Sequence, residues 1–177
     1  MIPSDSTVED WIRWLASDDA LTRREAVRIL GQLNAADQVA VSSFVDALQS
    51  SNDKVVFWAT VTLGRLRERA KSAVPALCSI VKDYWQFGTR EAALASLSKI
   101  APDDQHAKEA VLGAFSDVSP DVRCQALEAI IDFAGLTPRD LDAIKRMEKD
   151  SDADVACWSE IALRNIRLRG SRGEIAG

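Results

Sequence analysis

The chain has 177 residues, of which 47% are hydrophobic and 28% are charged, a balance that is ordinary for a soluble globular protein. Its formal net charge of −5 argues against a large footprint on DNA or RNA, which needs many basic contacts to phosphate, so we expect no nucleic-acid partner. The sequence has no long apolar run, no secretory signal at its N-terminus and three cysteines without paired spacing, and these features predict a cytoplasmic protein with no membrane partner.

One amphipathic pattern recurs along the chain. We measure each recurrence from a reference position, and the successive steps between these positions are 33, 34, 33 and 33 residues. The reference positions are Thr22, Val55, Thr89, Val122 and Val155. Small and apolar residues follow each of them at offsets of 4, 8 and 11, which is one face of an α-helix. Five such helices at a constant interval predict a repeat array.

A second amphipathic helix precedes each recurring one. The pattern predicts first, or outer, helices near residues 6–16, 37–49, 73–83, 104–116 and 138–149. It predicts second, or inner, helices near residues 20–33, 53–67, 88–100, 120–134 and 153–168. Good N-cap residues stand three positions before the reference position in four repeats, at Asp19, Asn52, Ser119 and Asp152. No strand is predicted.

This organisation predicts a single repeat domain over residues 1–168. The expected repeats are about 6–34, 35–67, 68–101, 102–135 and 136–168. Residues 169–177 show no periodic face, so we expect them to form a disordered C-terminal tail.

Two segments carry a resemblance to a known family. Residues 122–130 (VRCQALEAI) resemble the inner helix of a HEAT repeat, and residues 73–81 (AVPALCSIV) resemble an outer one. The period is shorter than the usual HEAT length of about 40–47 residues. It is similar to that of the short HEAT-like repeats of phycobilisome lyases. The resemblance implies an all-α fold, a right-handed α-α superhelix of five helical hairpins with about ten helices.

The resemblance also implies a ladder of ion pairs, in which an arginine one position after the reference position pairs with an acid of a neighbouring repeat. The matching arginines are Arg23, Arg90 and Arg123. The acidic partners that we expect are Asp53, Asp121 and Asp154. Val56 and Ala156 depart from the pattern, which indicates a broken ladder. Because stacked repeats must keep a register, we interpret the ladder as structural and not as a ligand site.

The outward positions of the inner helices map a candidate protein-binding groove on the concave face. They are Arg24, Arg28, Phe57, Trp58, Val61, Arg65, Lys99, Gln125, Glu128, Asp132 and Trp158. Along the repeats their character changes from basic through aromatic to acidic, which suits a protein segment laid in one direction. The indoles of Trp58 and Trp158 either form binding hot spots or pack between neighbouring inner helices, and the sequence does not decide between the two.

The turn that carries the extra residue of the longer step holds three aromatic residues, Tyr84, Trp85 and Phe87. They are a candidate contact on the rim of the array. Rings in so short a turn either seal the rim against the next repeat or present a contact surface, and sealing is favoured.

The sequence offers little for catalysis. The only histidine is His106, which does not lie at any of the apolar positions of the repeat. A single histidine argues against most acyl-transfer triads and most zinc sites. Cys124 and Cys157 occupy the same position in adjacent repeats, but helices packed about 8–10 Å apart hold them too far apart for a disulfide. We therefore expect no catalytic residue, no metal and no cofactor.

The sequence analysis predicts a non-enzymatic scaffold or adaptor that binds an unidentified peptide or protein on the concave face. Two alternatives stay open. The resemblance to bilin lyases makes a protein that handles a ligand or chromophore conceivable. A regulatory or immunity subunit of a larger assembly fits the same residues.

Overall fold

The computed structural model describes residues 8–30 and 38–171, and within these ranges the chain forms α-helices and no β-strand. The outer helices are α1 (Val8–Leu15), α3 (Gln38–Ala47), α5 (Val74–Asp83), α7 (Gln105–Gly113) and α9 (Pro138–Arg146). The inner helices are α2 (Ala20–Leu30), α4 (Asp53–Leu66), α6 (Phe87–Ile100), α8 (Pro120–Ile130) and α10 (Ala153–Ser171). Outer and inner helices alternate along the chain, so the predicted all-α array of helical hairpins is confirmed.

The inner helices begin close to where the sequence predicts, because polar side chains ahead of them accept hydrogen bonds from the free amides of the first turn. Asp19, Asn52 and Asp152 each accept from an amide two or three residues further on, at 2.9, 3.0 and 3.0 Å. Ser119 is the N-cap residue of α8 as predicted, but its side chain makes no capping hydrogen bond. Its amide donates to Asp117 at 2.8 Å, so the carboxylate closes this turn in place of the hydroxyl.

The core follows the columns of the repeat. The small residues at offset 4 are at most 1% exposed: Ala26, Ala59, Ala93, Ala126 and Ser159. Successive inner helices pack on one another, α4 on α6, α6 on α8 and α8 on α10, while each outer helix from α3 onward packs on the inner helix that follows it. The single hydroxyl in this column is satisfied, because Ser159 Oγ donates to the carbonyl of Ile144 at 2.6 Å. From α3 onward the packing follows chain order, which makes the fold an α-solenoid, while in the first repeat the outer helix α1 also packs on α4.

A close approach of two backbones brings α4 against α6. A Cβ atom added at Gly64 would lie 2.4 Å from Ser96 Oγ and 2.9 Å from Ser96 Cβ, so only glycine fits there without a shift. The Ser96 hydroxyl donates to the carbonyl of Thr60 at 3.0 Å and bridges the two helices. The junction between the second and third repeats is therefore tight.

The helix ends deviate from the predicted pattern in short 3₁₀ segments. Helices α7 and α9 continue into Ala114–Ser116 and Met147–Lys149, within the predicted outer helices. A longer 3₁₀ segment, Arg67–Ala73, joins α4 to α5 and is absent from the sequence prediction. It fills the interval between repeats with ordered backbone instead of an open loop.

The last helix extends into the segment for which we expected a disordered tail. Helix α10 ends at Ser171. The guanidinium of Arg169 donates to the carbonyl of Ile131 after α8, which ties the final turn to the preceding repeat. Residues 172–177 lie outside the described residues.

Arginines one position after the reference position form a ladder, but their acidic partners differ from those predicted. Arg90 donates from Nε and Nη2 to the two carboxylate oxygens of Asp117 at 2.8 and 2.7 Å. Arg123 forms the same bidentate pair with Asp150, at 2.9 and 2.7 Å. The predicted partners are wrong for both arginines; they were Asp53, Asp121 and Asp154.

Backbone carbonyls explain why the acidic partners differ from those predicted. The third nitrogen, Nη1 of Arg90, donates to the carbonyl of Tyr84 at 2.7 Å, and Nη1 of Arg123 donates to the carbonyl of Asp117 at 2.9 Å. Each arginine is thus anchored to the turn before its own helix, and its remaining two donors face the equivalent turn of the next repeat. The partner must therefore stand in that turn, five positions before the reference position.

The two carboxylates of the ladder are held ionised. Burial alone would raise the pKa of Asp117, but hydrogen bonds from Arg90 and the amide of Ser119 outweigh it and hold that pKa below its ordinary value. The hydrogen bonds from Arg123 lower the pKa of Asp150 in the same way. These pairs are mostly shielded from solvent, with the side chains of Arg90 and Asp117 only 9% and 10% exposed.

The ladder does not continue into the first two repeats. Arg23 donates to the carbonyls of Ser17 and Asp18 at 2.6 and 2.8 Å, as the other arginines do in their own turns. The position where the next repeat would supply the acid holds Ser50. A different ion pair, between Asp18 and Lys54, links these repeats.

Candidate functional site

A cleft opens on the face of the inner helices between α4 and α6. It has a volume of about 370 Å³ and is lined by Val61, Gly64, Arg65, Arg67, Ala92, Ala95, Ser96 and Lys99. Three residues of the predicted groove, Val61, Arg65 and Lys99, are therefore brought together. Val61 and the small side chains of α6 form its floor, and the basic residues stand towards the ends of the two helices.

A second cleft continues the first towards α8. Its volume is about 490 Å³ and its lining is Leu66, Arg67, Glu68, Arg69, Ser98, Lys99, Pro102 and Asp132. The two share Arg67 and Lys99, so they form one continuous depression, which we call the basic cleft. Arg65, Lys99 and Asp132 occupy the same position, offset 10, in three consecutive repeats. The helical register explains why predicted residues of three repeats meet here.

The charges in the basic cleft are unbalanced. Arg65, Arg67 and Lys99 are exposed, and within residues 8–30 and 38–171 none of them forms an ion pair or a side-chain hydrogen bond. The acids of the lining are Glu68 and Asp132, which are also exposed. Three cations without partners around a partly apolar floor attract an anionic group, and salt weakens that attraction.

Arg67 reaches the cleft from a backbone conformation that arginine rarely adopts. Its φ is 52° and its ψ is −137°, and it is the non-glycine residue with a positive φ within the described ranges. Its amide donates to the carbonyl of Gly64 and ends α4. The role of Arg67 could not be predicted from the sequence, because a positive φ is signalled by glycine or asparagine and not by arginine. Strain of this kind often marks a functional position.

The tryptophans of the predicted groove are not fully exposed to a ligand. Trp58 and Trp158 are partly buried and pack against the hydrophobic core. Phe57 meets Trp58 edge to face, with ring centroids 5.2 Å apart and an interplanar angle of 84°. The two tryptophans lie on α4 and α10, with α6 and α8 between them, so the structure does not bring them together.

The ends of the predicted groove carry charges that are partly compensated. Arg24 and Arg28 are exposed on α2, but Arg28 forms a 2.7 Å ion pair with Glu25 one turn earlier. On α8, Gln125 donates to Glu128 at 3.1 Å. Arg24 forms no ion pair among the described residues, so one uncompensated cation of the predicted set stands in the first repeat, while Arg65 and Lys99 lie together in the basic cleft.

The aromatic turn between α5 and α6 divides into a sealed part and an open part. Tyr84 packs against the core, and its hydroxyl donates to Asp53 Oδ1 at 2.7 Å. Burial and the charge of Asp53 raise the pKa of Tyr84 to about 12, which keeps the phenol a donor. Trp85 and Phe87 are 69% and 58% exposed. The favoured interpretation, sealing of the rim, holds for Tyr84 and is wrong for Trp85 and Phe87, because their rings extend outward from the turn.

A family model of HEAT repeats matches residues 8–98, about half of the chain. The chain belongs to the HEAT-repeat family. The tandem outer and inner helices and the small-residue column at offset 4 are the features of this fold that the sequence analysis used. No curated protein matches the sequence.

Solved structures share the HEAT-like solenoid at low sequence identity. The complex of CpcE and CpcF of phycocyanin lyase from Nostoc sp. PCC7120 is 18% identical, with a TM-score of 0.74 over 88% of this chain and 96% of that chain. A designed armadillo repeat protein in complex with the peptide (KR)4 is 15% identical, with a TM-score of 0.58 over 90% and 81%. Computationally designed armadillo repeat proteins for modular peptide recognition are 17% identical, with a TM-score of 0.55 over 96% and 88%. At such identities the likeness concerns the fold.

The cysteines and the histidine of this HEAT-repeat chain lie in different surroundings. All three cysteines are free thiols. Burial raises the pKa of Cys78 to about 11, and burial together with nearby aspartates raises that of Cys124 to about 11, so both are protonated at neutral pH and poor nucleophiles. His106 is 88% exposed at its side chain. Among the described residues no cluster of potential ligands would hold a metal ion, and no helix is long and apolar enough to cross a membrane.

Proposed function

We propose that this HEAT-repeat chain is a non-enzymatic scaffold or adaptor that binds a peptide or protein segment on the concave face formed by its inner helices. The observation that supports this most is the basic cleft. Arg65, Arg67 and Lys99, which have no acidic partner in the described part of the chain, surround a floor of small and apolar side chains. Such a surface suits association, because it places positive charge beside apolar area.

The cleft favours a segment of defined chemistry. A carboxylate of the ligand would meet Arg65 or Lys99, and a small apolar side chain would cover Val61 and the alanines of α6. The charges give orientation and a fast, salt-dependent association, and the apolar floor contributes affinity through the area it removes from water. The partner we propose is therefore an acidic peptide segment with interspersed small apolar residues.

The solenoid supplies a rigid support for this interaction. The tight contact of Gly64 with Ser96 fixes α4 against α6, so the two walls of the cleft do not have to be ordered when a ligand arrives. The solved armadillo structure with (KR)4 shows that a solenoid of this general fold holds a peptide. That peptide is basic, whereas the cleft described here favours the opposite charge.

The test begins with partner capture from cells by the tagged chain, followed by a charge-removing double variant, Arg65→Ala with Lys99→Ala. The variant should lose the captured partner by at least about tenfold in affinity, since each residue lies where the ligand charge would be. The matched control removes two exposed lysines of outer helices, Lys82→Ala with Lys145→Ala. Retained binding by the cleft variant, with unchanged helicity and melting temperature, would exclude the cleft as the site.

A second measurement addresses chromophore handling, which the fold of the phycocyanin lyase complex brings into consideration. The purified chain is incubated with a bilin, and the protein fraction is examined for a visible absorption band. We expect none, because the cleft is open and charged and the exposed thiol, Cys157, lies on α10 outside its lining. A stable band would shift the proposal from peptide binding to chromophore handling.

A further inference from the structure

The rim of the third and fourth repeats exposes apolar side chains that do not belong to the basic cleft. Trp85 and Phe87 are 69% and 58% exposed, and Val118 is 89% exposed. Trp85 and Val118 occupy the same position, four residues before the reference position, in consecutive repeats. Equivalent turns of packed repeats lie about 8–10 Å apart, so these side chains are neighbours. We call Trp85, Phe87 and Val118 the turn patch.

The turn patch is held in place by specific hydrogen bonds. Trp85 Nε1 donates to Asp53 Oδ1 at 3.3 Å, and the Tyr84 hydroxyl donates to the same oxygen at 2.7 Å. The buried Arg90 donates to the carbonyls of Tyr84 and Trp85 at 2.7 and 3.3 Å. The exposed rings therefore stand on a fixed turn, and a partner would not have to order them first.

Open space and negative charge adjoin the patch. A side chain placed at Gly88 would contact nothing within 4 Å, so the surface beside Phe87 is clear. Glu91 stands one helical turn after Phe87 on α6, and Asp121 lies in the first turn of α8. Burial, followed by the neighbouring charge of Asp121, raises the pKa of Glu91, which is the direction expected for two carboxylates on one surface.

The turn patch and the basic cleft lie at opposite ends of α6. Phe87 is the first residue of the helix and Lys99 is near its last, a separation of about 18 Å along the helix axis. One end presents aromatic and acidic groups, and the other presents cations. A ligand of one charge is thus not shared between the two surfaces.

We propose that the turn patch is a second docking surface, which binds a basic, apolar segment of a partner protein. An apolar side chain of the segment covers Trp85, Phe87 and Val118, and an adjacent arginine or lysine meets Glu91 and Asp121. The exposed face of the Trp85 indole offers the same cation a further contact. Charge complementarity selects this occupant over an acidic segment, which the patch would repel.

The test uses a synthetic probe, the labelled peptide Gly-Arg-Leu-Arg-Leu-Arg-Gly, and a counterpart with glutamate in place of each arginine. Fluorescence anisotropy is measured with the full chain at low salt and at roughly 0.3 M salt. We expect the basic peptide to bind and the acidic one not to bind. Binding should weaken at least about tenfold in Trp85→Ala and in Val118→Lys, where a positive charge replaces an apolar contact.

A double variant tests whether the carboxylates beside the turn patch attract the basic peptide, and a further variant serves as the control. Glu91→Gln with Asp121→Asn should weaken the basic peptide about tenfold and flatten its salt dependence. Leu21→Ala, which removes a 75% exposed apolar side chain from the first turn of α2, should leave binding of the basic peptide unchanged. Val118 is 89% exposed, so its replacement should leave the fold intact, and circular dichroism is used to check the helicity of each variant.

Several results would overturn the proposal. Absence of peptide binding, equal binding of both peptides, or binding unaffected by Trp85→Ala and Val118→Lys would each do so. Sedimentation at several protein concentrations tests the alternative occupant, a second copy of this chain. If the wild type self-associates and Val118→Lys is monomeric, the patch is a self-contact and the basic partner is wrong.

Discussion

The strained backbone of Arg67 predicts that glycine at this position makes the protein more stable. With φ at 52° and ψ at −137°, the residue adopts the conformation of the first central residue of a type II′ turn, which favours glycine. Strain in such regions costs about 1–3 kcal/mol for other residues. Glycine also lowers stability by about 0.5–1 kcal/mol through the freedom it adds to the unfolded chain. Arg67→Gly should therefore gain about 1 kcal/mol.

The assay compares Arg67→Gly with Arg67→Ala. Both variants remove the guanidinium, but alanine keeps the strain and glycine relieves it. A gain of about 1 kcal/mol corresponds to a rise in melting temperature of about 2–4 °C for a chain of this size. Urea unfolding followed by circular dichroism gives the same comparison at constant temperature, provided that the slope of the transition stays unchanged.

Partner binding by Arg67→Gly and Arg67→Ala provides a second measurement. Both should weaken the partner of the basic cleft to a similar extent, since both lack the same cation. Equal unfolding midpoints for glycine and alanine would show that the conformation is not strained. The idea that arginine stands there for its charge at the expense of stability would then have to be abandoned.

Three other predictions concern the stacking of repeats and the thiols. Gly64→Ala should destabilise the fold by about 1–3 kcal/mol in urea unfolding because its Cβ would meet Ser96, and adding Ser96→Gly should restore part of the loss. The pair of Asp117 with Arg90 stabilises the fold above the unfolded-state pKa of about 4 and loses this contribution as pH falls through the lower folded-state pKa. Asp117→Asn should thus cost about 2–4 kcal/mol at neutral pH and flatten the loss of stability in acid, whereas an unchanged acid transition would contradict the pairing. With a thiol-specific reagent at about pH 8, exposed Cys157 should react first, because the other two thiols stay protonated well above that pH; equal rates for the three would argue against this.

The repeat and its core were predictable because both follow from steric periodicity. A residue at offset 4, such as Ala93, faces the neighbouring helix in every repeat, so its size is restricted in every repeat. The partners of the ladder were not found, although a signal was present. Asp117 and Asp150 stand at the same position of consecutive turns, five residues before the reference position. The choice between neighbouring acids depends on which way the arginine leaves its helix, and backbone carbonyls in the folded turn decide that.

The candidate surfaces were predictable only in part, for a similar reason. The shared column of Arg65 and Lys99 follows from helical spacing, and the structure places both in one cleft. The contribution of Arg67 depends on a single unusual φ angle. The exposure of Trp85 depends on Tyr84, which occupies the inward side of the turn and leaves its neighbour outside. The φ angle of Arg67 and the exposure of Trp85 are determined by local contacts that do not recur from repeat to repeat.

The basic cleft and the Trp85 side of the turn patch both adjoin the junction of the second and third repeats, and this coincidence has a physical explanation. At that junction Val56 replaces the ladder arginine and is fully buried. Tyr84 stands where the next repeats carry the acid, and it donates to Asp53, so the direction of the hydrogen bond across the junction is reversed. The tight contact at Gly64 maintains the stacking there without the ladder. Residues released from stacking are free to serve binding, so a departure from the repeat pattern is where a ligand is expected.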